Sequence, residues 1–189
     1  MGVMILNRIR CGWCNLHNEI YIDYHDNEWA VLNTEDRYLL EMLILESFQA
    51  GLSWECILNK RENFKKAYDD FDMNKICEYD EKKINILLSD KGIIRNKLKI
   101  NASVENTKVF RKIKKEYKTF YNYLKTFTGD KVLYETGKDT NEISDKISCD
   151  LKKRGMKFVG STIIYSYLQA IGIINSHEEN CFKHIQVKE

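Results

Sequence analysis

The sequence predicts an all-α protein, and three observations carry that expectation. Residues 37–50 are nearly all good helix formers, and Leu39, Leu40, Leu43, Ile44 and Phe48 cover most of the circumference, the mark of a central, buried helix. No segment shows the clean apolar–polar alternation of a half-buried strand. The 189 residues include no proline, so helices can run long and turns fall to Gly, Asn and Asp. That length makes one ordinary domain, and 43% apolar with 12% aromatic residues is ample material for its core.

Taken in order, the chain opens with a short apolar patch at residues 3–6. It has neither the h-region nor the cleavage site of a leader, and Gly2 lacks the later Ser or Thr of a myristoylation signal. Gly51 ends the central helix as a C-terminal glycine should. Residues 61–68, 81–89, 95–117 and 118–127 read as further helices, and 129–144, rich in Gly, Thr and Asn, as a loop. Ser161 or Thr162 is placed to cap a last helix that runs through Ile163, Ile164, Tyr167, Leu168 and Ile171 to Gly172. No apolar run approaches the ~20 residues that cross a bilayer. A net charge of +2 names no polyanionic partner, and six cysteines without a secretory signal read as thiols or metal ligands. A soluble, cytoplasmic monomer is the expectation.

Three constellations could carry chemistry. Cys11, Cys14, His17 and His25 lie near one terminus, and His177, Cys181 and His184 near the other, so that all four histidines fall in two clusters. Zinc takes four soft or borderline ligands, commonly two from each of two segments, and here it would close a very long loop. Spacing does not choose among the seven candidates. The second constellation is a carboxylate in an apolar place: Glu46 falls between Leu39 and Met42 on the wheel, with Trp13, Tyr21, Tyr24, Trp29 and Trp54 in flanking segments. Acid and aromatic faces together suit a flat cationic ligand, although buried glutamates are as often structural. The third is Asp90-Lys91-Gly92-Ile93-Ile94-Arg95 between two helices, a glycine turn suited to phosphate, which Lys97 and Lys99 would reinforce. The basic runs at 111–115 and 152–157 read as solvated faces. Walker, dinucleotide and nucleophile-elbow motifs are absent.

Six motifs in order resemble the bacterial 3-methyladenine DNA glycosylase I family: Arg10-Cys11-Gly12-Trp13, Tyr24-His25-Asp26-Asn27-Glu28-Trp29, Gln49-Ala50-Gly51-Leu52-Ser53-Trp54, Lys60-Arg61-Glu62-Asn63-Phe64, Gly92-Ile93-Ile94-Arg95-Asn96, and the stretch from Lys152 through Lys153-Arg154-Gly155-Met156-Lys157-Phe158-Val159-Gly160-Ser161-Thr162. Only 110–149 matches poorly. The resemblance implies a single all-α helix–hairpin–helix glycosylase unit over 1–189, its helix–hairpin–helix element at about 81–109. A structural zinc would tie the terminal segments, about 10–29 and 155–184, through Cys11, His25, His177 and Cys181, with Cys14, His17 and His184 as bystanders. It further implies a base pocket of Glu46, Trp13, Tyr21, Tyr24 and Trp54, and a hairpin, Gly92, Ile93, Ile94 and Arg95, on the DNA backbone. The implied reaction is base flipping and monofunctional hydrolytic release of 3-methyladenine from alkylated duplex DNA, the first step of base excision repair. The catalytic aspartate and lyase lysine of other helix–hairpin–helix glycosylases have no counterpart here. Phe48 beside Glu46, and Ala30 in place of a frequent glycine, depart from the family pattern. The competing readings are a zinc-clipped DNA binder without chemistry and a zinc-stabilised protein-interaction domain.

Overall fold

Helix α2 (Asp36–Gln49) is the axis on which the other elements pack. The computed structural model describes residues 8–185, so Gly2 and the apolar patch at 3–6 lie outside the described residues. Every side chain of α2 from Met42 to Phe48 is buried, as its all-round apolar pattern requires. Before it comes α1 (Glu19–Asn27), capped by Asn18. After it come α3 (Trp54–Leu58), capped by Ser53, α4 (Arg61–Ala67) and α5 (Met73–Cys77), capped by Asp72. Then α6 (Glu81–Ser89) and the long α7 (Lys97–Tyr117) are joined by the glycine turn, and α8 (Phe120–Thr128) follows. The chain closes with α9 (Glu142–Lys153) and α10 (Ser161–Ala170).

Four details differ from the sequence reading. The 129–144 segment is a loop only to Asn141, which caps α9 in a box with Ser144. Within that loop β1 (Leu133–Tyr134) pairs in parallel with β2 (Ile174–Asn175), two strands of two residues each and too short to show a period. Neither Ser161 nor Thr162 caps α10; Gly160 holds that position, and the Ser161 hydroxyl meets that of Ser144 at 2.8 Å. Phe48 does not differ: as its place on another side of the helix from Glu46 implies, it turns into the core, against Phe64 at 4.9 Å and Tyr68 at 6.2 Å.

Lys99 is the fourth difference. Instead of reinforcing the glycine turn it is buried, and its ammonium donates to the carbonyls of Phe48 (2.8 Å) and Ala50 (2.5 Å). A lysine in the first turn of its own helix sits at the wrong end of that helix's dipole. The C-terminal carbonyls of α2 supply the compensating negative end. Burial lowers its pKa from the ordinary value. The helix that follows the turn thereby holds the end of α2 that carries Glu46.

Gly172 links α10 to β2 with φ +79°, and a Cβ there would lie 2.2 Å from the Val31–Leu32 backbone. The 30–33 turn is bonded onto the end of α10, with Ala30 N–H to the Gln169 carbonyl and Asn33 N–H to that of Ile171. Ala30 itself has φ 61°, which supplies a physical reason for glycine at that position. Ala30→Gly therefore removes left-handed strain at a smaller entropic cost in the unfolded chain. Thermal denaturation should show a gain of about 0.5–1 kcal/mol, some 1–4 °C in Tm.

Candidate functional site

Four ligating side chains converge from the two ends of the described chain. Cys11 and His25 come from the segment that leads into and through α1, and His177 and Cys181 from the segment beyond β2. All four are buried, and one ligand atom of each lies within 4.8 Å of the others. Cys11 Sγ is 3.4 Å from His177 Nδ1, and Cys181 Sγ is 3.5 Å from His177 Nδ1 and from His25 Nε2. A tetrahedral ion bonded to sulfur at about 2.3 Å and to nitrogen at about 2.0 Å sets such neighbours about 3.5 Å apart, so the cluster fits one cation. Among the other candidates, Cys14 Sγ faces the Tyr21 carbonyl at 3.9 Å, His17 is exposed, and His184 is bonded to the His177 carbonyl at 2.8 Å.

The surroundings suit metal ligands. His25 Nδ1 bonds Asp26 Oδ1 at 2.8 Å, which turns Nε2 toward the sulfurs, and Arg10 grips the same carboxylate with two hydrogen bonds. Burial works to raise the Asp26 pKa, but the bonds from Arg10 and His25 outweigh it and hold it below the usual range. Burial, with His25 adjacent, lowers His177 to about 4, so its ring is neutral and free to ligate. Burial, together with the neighbouring Cys181, pushes the Cys11 thiol up to about 12. A thiolate pair in this place needs a cation. The backbone N–H groups of Glu178 and Lys183 donate to the two sulfurs, and the Glu178 carboxylate accepts from the Gly12 N–H at 2.9 Å.

Against this centre stands an aromatic wall. Trp29 packs edge-on to His177 at 4.6 Å and to Trp13 at 4.8 Å, and Trp13 meets Tyr21 at 5.4 Å and His25 at 5.2 Å. The wall bounds a cavity of about 300 Å³, at the small end for ligand pockets. Trp13, Tyr21, Tyr24, Trp29 and Trp54 line one side, with Glu46 and Gln49 of α2 beside them. Thr162, Tyr165, Ser166 and Gln169 of α10 face them, and Gly137, Lys138 and Asp139 form a rim. All five residues of the expected base pocket are therefore brought together. Tyr24 and Trp54 touch, with centroids 5.4 Å apart and tilted 47°, which leaves no slot for a flat ring between them. Gln49 and the α10 face were missed by the sequence reading. The signal for Gln49 was its place three residues beyond Glu46, on the same face of α2.

Glu46 is 3% exposed, and its Oε2 has no hydrogen-bond partner. Burial alone raises its pKa to about 8. The cavity is thus built around a carboxyl whose Oε2 finds no cation or N–H donor among the described residues. Asp139 is exposed at the rim, and the Glu178 carboxylate is engaged with Gly12.

The glycine turn lies elsewhere on the surface. Gly92 N–H donates to Asp90 Oδ1 at 2.7 Å, Ile93 is buried as the anchor, Ile94 is half-buried, and Arg95 is exposed. A Cβ on Gly92 would press on Asp90 Oδ1 at 3.0 Å and on the Asn63 side chain at 3.1 Å, so a larger residue has to displace both side chains that shape the turn. Among the described residues no helix is long and apolar enough to cross a membrane.

Residues 13–184 match the methyladenine glycosylase family. DNA-3-methyladenine glycosylase 1 of Escherichia coli (strain K12) is 39% identical over 178 residues, which cover 91% of this chain and 95% of that protein. A crystal structure of 3-methyladenine DNA glycosylase I superposes with a TM-score of 0.89 at 38% identity, over 94% of this chain and 100% of that one. A variant of 3-methyladenine DNA glycosylase I in complex with 3-methyladenine reaches 0.89 at 26% identity, over 95% of this chain and 99% of that one.

Two outcomes are expected. Cys11→Ala or Cys181→Ala should lose bound metal, measured by atomic emission, together with about 3 kcal/mol or more of stability, whereas Cys14→Ala should keep its metal. The raised pKa of Glu46 makes the folded state hold a proton that the unfolded chain releases near pH 4.5, so wild-type stability falls as pH rises from there through about 8. Glu46→Gln lacks this loss. Its advantage in denaturant melts should grow from near zero below pH 5 to about 2–5 kcal/mol at pH 9.

Proposed function

This chain belongs to the methyladenine glycosylase family, and from that premise we propose that it is a DNA-3-methyladenine glycosylase that draws the alkylated nucleotide out of duplex DNA and hydrolyses its N-glycosidic bond. The observation that carries this reading is the unpartnered, buried Glu46 carboxyl beside an aromatic wall. Methylation at N3 places a positive charge on adenine and weakens its bond to deoxyribose. Such a base leaves as a neutral molecule when C1′–N9 breaks, so the enzyme need not protonate it. Glu46 as carboxylate offsets the cation and accepts from its N–H donors, while Tyr24 and Trp54 offer faces to stack on and Trp13 and Tyr21 close the wall. Water adds to C1′ through an oxocarbenium-like transition state, one of its protons passes to solvent, and an abasic site remains. The lysine on the cavity rim, Lys138, is ion-paired to Glu135 at 2.7 Å rather than aimed at C1′, and the reaction stops there.

The donor set of two thiolates and two imidazoles selects zinc, held by Cys11, His25, His177 and Cys181 as a closed structural site. Its role is to tie the terminal segments, about 10–29 and 155–184, of a single glycosylase unit. In that unit the helix–hairpin–helix element spans about 81–109, and Gly92, Ile93, Ile94 and Arg95 hold the DNA backbone. Lys60 Nζ and Asn63 Nδ2 lie 3.5 and 3.4 Å from the Gly92 carbonyl and keep the turn in shape.

Methylated duplex DNA incubated with the protein should release 3-methyladenine with little 7-methylguanine, identified by chromatography. Glu46→Ala should lower the rate by about 10²-fold or more, as when an interaction made in the transition state is removed. Gly92→Val should weaken DNA binding at least 10-fold in an anisotropy titration while leaving the metal content unchanged. Failure of the folded, metal-loaded protein to release any base would favour a DNA binder without chemistry, and an undiminished Gly92→Val would count against DNA altogether.

A further inference from the structure

Among the described residues, four buried side-chain polar atoms lack a partner: Glu46 Oε2, Gln49 Oε1, Trp54 Nε1 and the Tyr167 hydroxyl. Three of the four belong to residues that line the cavity. Folded proteins keep few such atoms, because each costs free energy unless something satisfies it. Their gathering at one cavity marks a set of contacts that a ligand completes.

Two of these atoms are acceptors on adjacent turns of α2. Residues three apart on a helix lie on one face with their Cβ atoms about 5–6 Å apart, so the Glu46 carboxylate and the Gln49 carbonyl reach into the same space. We propose that Gln49 is a specificity-determining residue: with Glu46 it forms a pair of acceptors that reads an exocyclic amino group at C6 of the base and rejects a carbonyl there. The inference deepens the glycosylase reading above and depends on it.

An amino group carries two N–H bonds that diverge in the plane of the ring, so each acceptor can take one. A carbonyl at the same position turns its lone pairs toward two further acceptors, and all three are left unsatisfied in a desolvated site. Glu46 alone does not make this distinction, because a single carboxylate is equally served by a ring N–H. Requiring two N–H bonds on one nitrogen is what separates adenine-type from guanine- or hypoxanthine-type bases. A site built to bond a particular N–H discriminates strongly against the analogue that lacks it. Gln49 suits the task better than a second acid would, since two carboxyls at this spacing would share a proton and weaken the pull on a cation.

The experiment compares wild type with Gln49→Met, which keeps the volume and removes the acceptor. Tryptophan fluorescence is titrated with free 3-methyladenine and with 3-methylhypoxanthine, which carries a carbonyl at C6, and base release is scored in parallel on methylated DNA. Wild type should favour the amino base at least 100-fold. In Gln49→Met, binding of 3-methyladenine should weaken about 10- to 100-fold while the carbonyl base changes less than threefold, so the preference drops at least tenfold with metal content intact. Equal weakening of both bases, or no change in either, overturns the role of Gln49 and leaves the glycosylase reading standing if wild type still releases 3-methyladenine. Binding of neither base by wild type, together with no release, overturns both.

Discussion

The aromatic wall of the cavity packs on a small core built around the four candidate metal ligands, and Trp54 reaches the main core as well. Cys11, Tyr21, Tyr24, Trp29, Leu58 and Cys181 form a small apolar cluster separate from the main core, and Trp13 leans on it. Its rings are packed directly on His25 and His177. Neutral imidazoles and protonated thiols tolerate that packing as they stand, and a cation bound there would take up the charge of thiolates that burial otherwise forbids. In chain-entropy terms a tie across the 166 residues from Cys11 to His177 is worth about 5 kcal/mol. Backbone contacts confirm how close the terminal segments run, with Phe182 N–H bonded to the Ile9 carbonyl at 2.9 Å. A site made of two distant pieces of chain is thus held as one rigid surface.

Beside that wall, α2 carries a conflict that the fold leaves unresolved. Every other member of its buried run is apolar or, like Ser47, satisfied within the helix. Glu46 is neither, and its burial without a partner opposes folding. What offsets it lies at the helix end, where Lys99 caps two carbonyls, and around it, where α10, α7 and α8 press on the same helix. Because Lys99 belongs to the first turns of α7, the element proposed to hold the DNA backbone and the helix proposed to hold the base are joined by two hydrogen bonds rather than by a flexible linker.

Local signals were legible in the residues, and contacts between distant residues were not. The all-round apolar pattern located α2 to within a residue, and Glu81–Ser89 emerged with its bounds unchanged. Helix α9 was missed because its Ser, Asp and Lys content hides a narrow apolar stripe of Ile147 and Leu151. The strands carry two residues each, which is below any detectable alternation. Lys99 was misread as a solvent-facing cation, since its partners lie about fifty residues earlier and nothing local announces a buried ammonium. Spacing alone could not pick the four ligands from seven; only the resemblance named them, and the cluster of four is what the fold brings together. Gln49 went unassigned because an amide one turn from an acid looks like any helix surface until burial leaves its oxygen without a partner.

The span of the metal centre also bears on how the protein is made. Synthesis runs from the N-terminus, and Cys11 and His25 emerge long before His177 and Cys181 exist. Until His177 and Cys181 follow, the half-site is two candidate ligands beside unpacked tryptophans. The helices from α2 to α8 pack on one another, but α2 and α9 both make their most extensive contacts with α10 and wait for it. Closure of the cluster therefore follows α10 and β2, and an ion bound there would register that the two segments carrying its ligands are both in place.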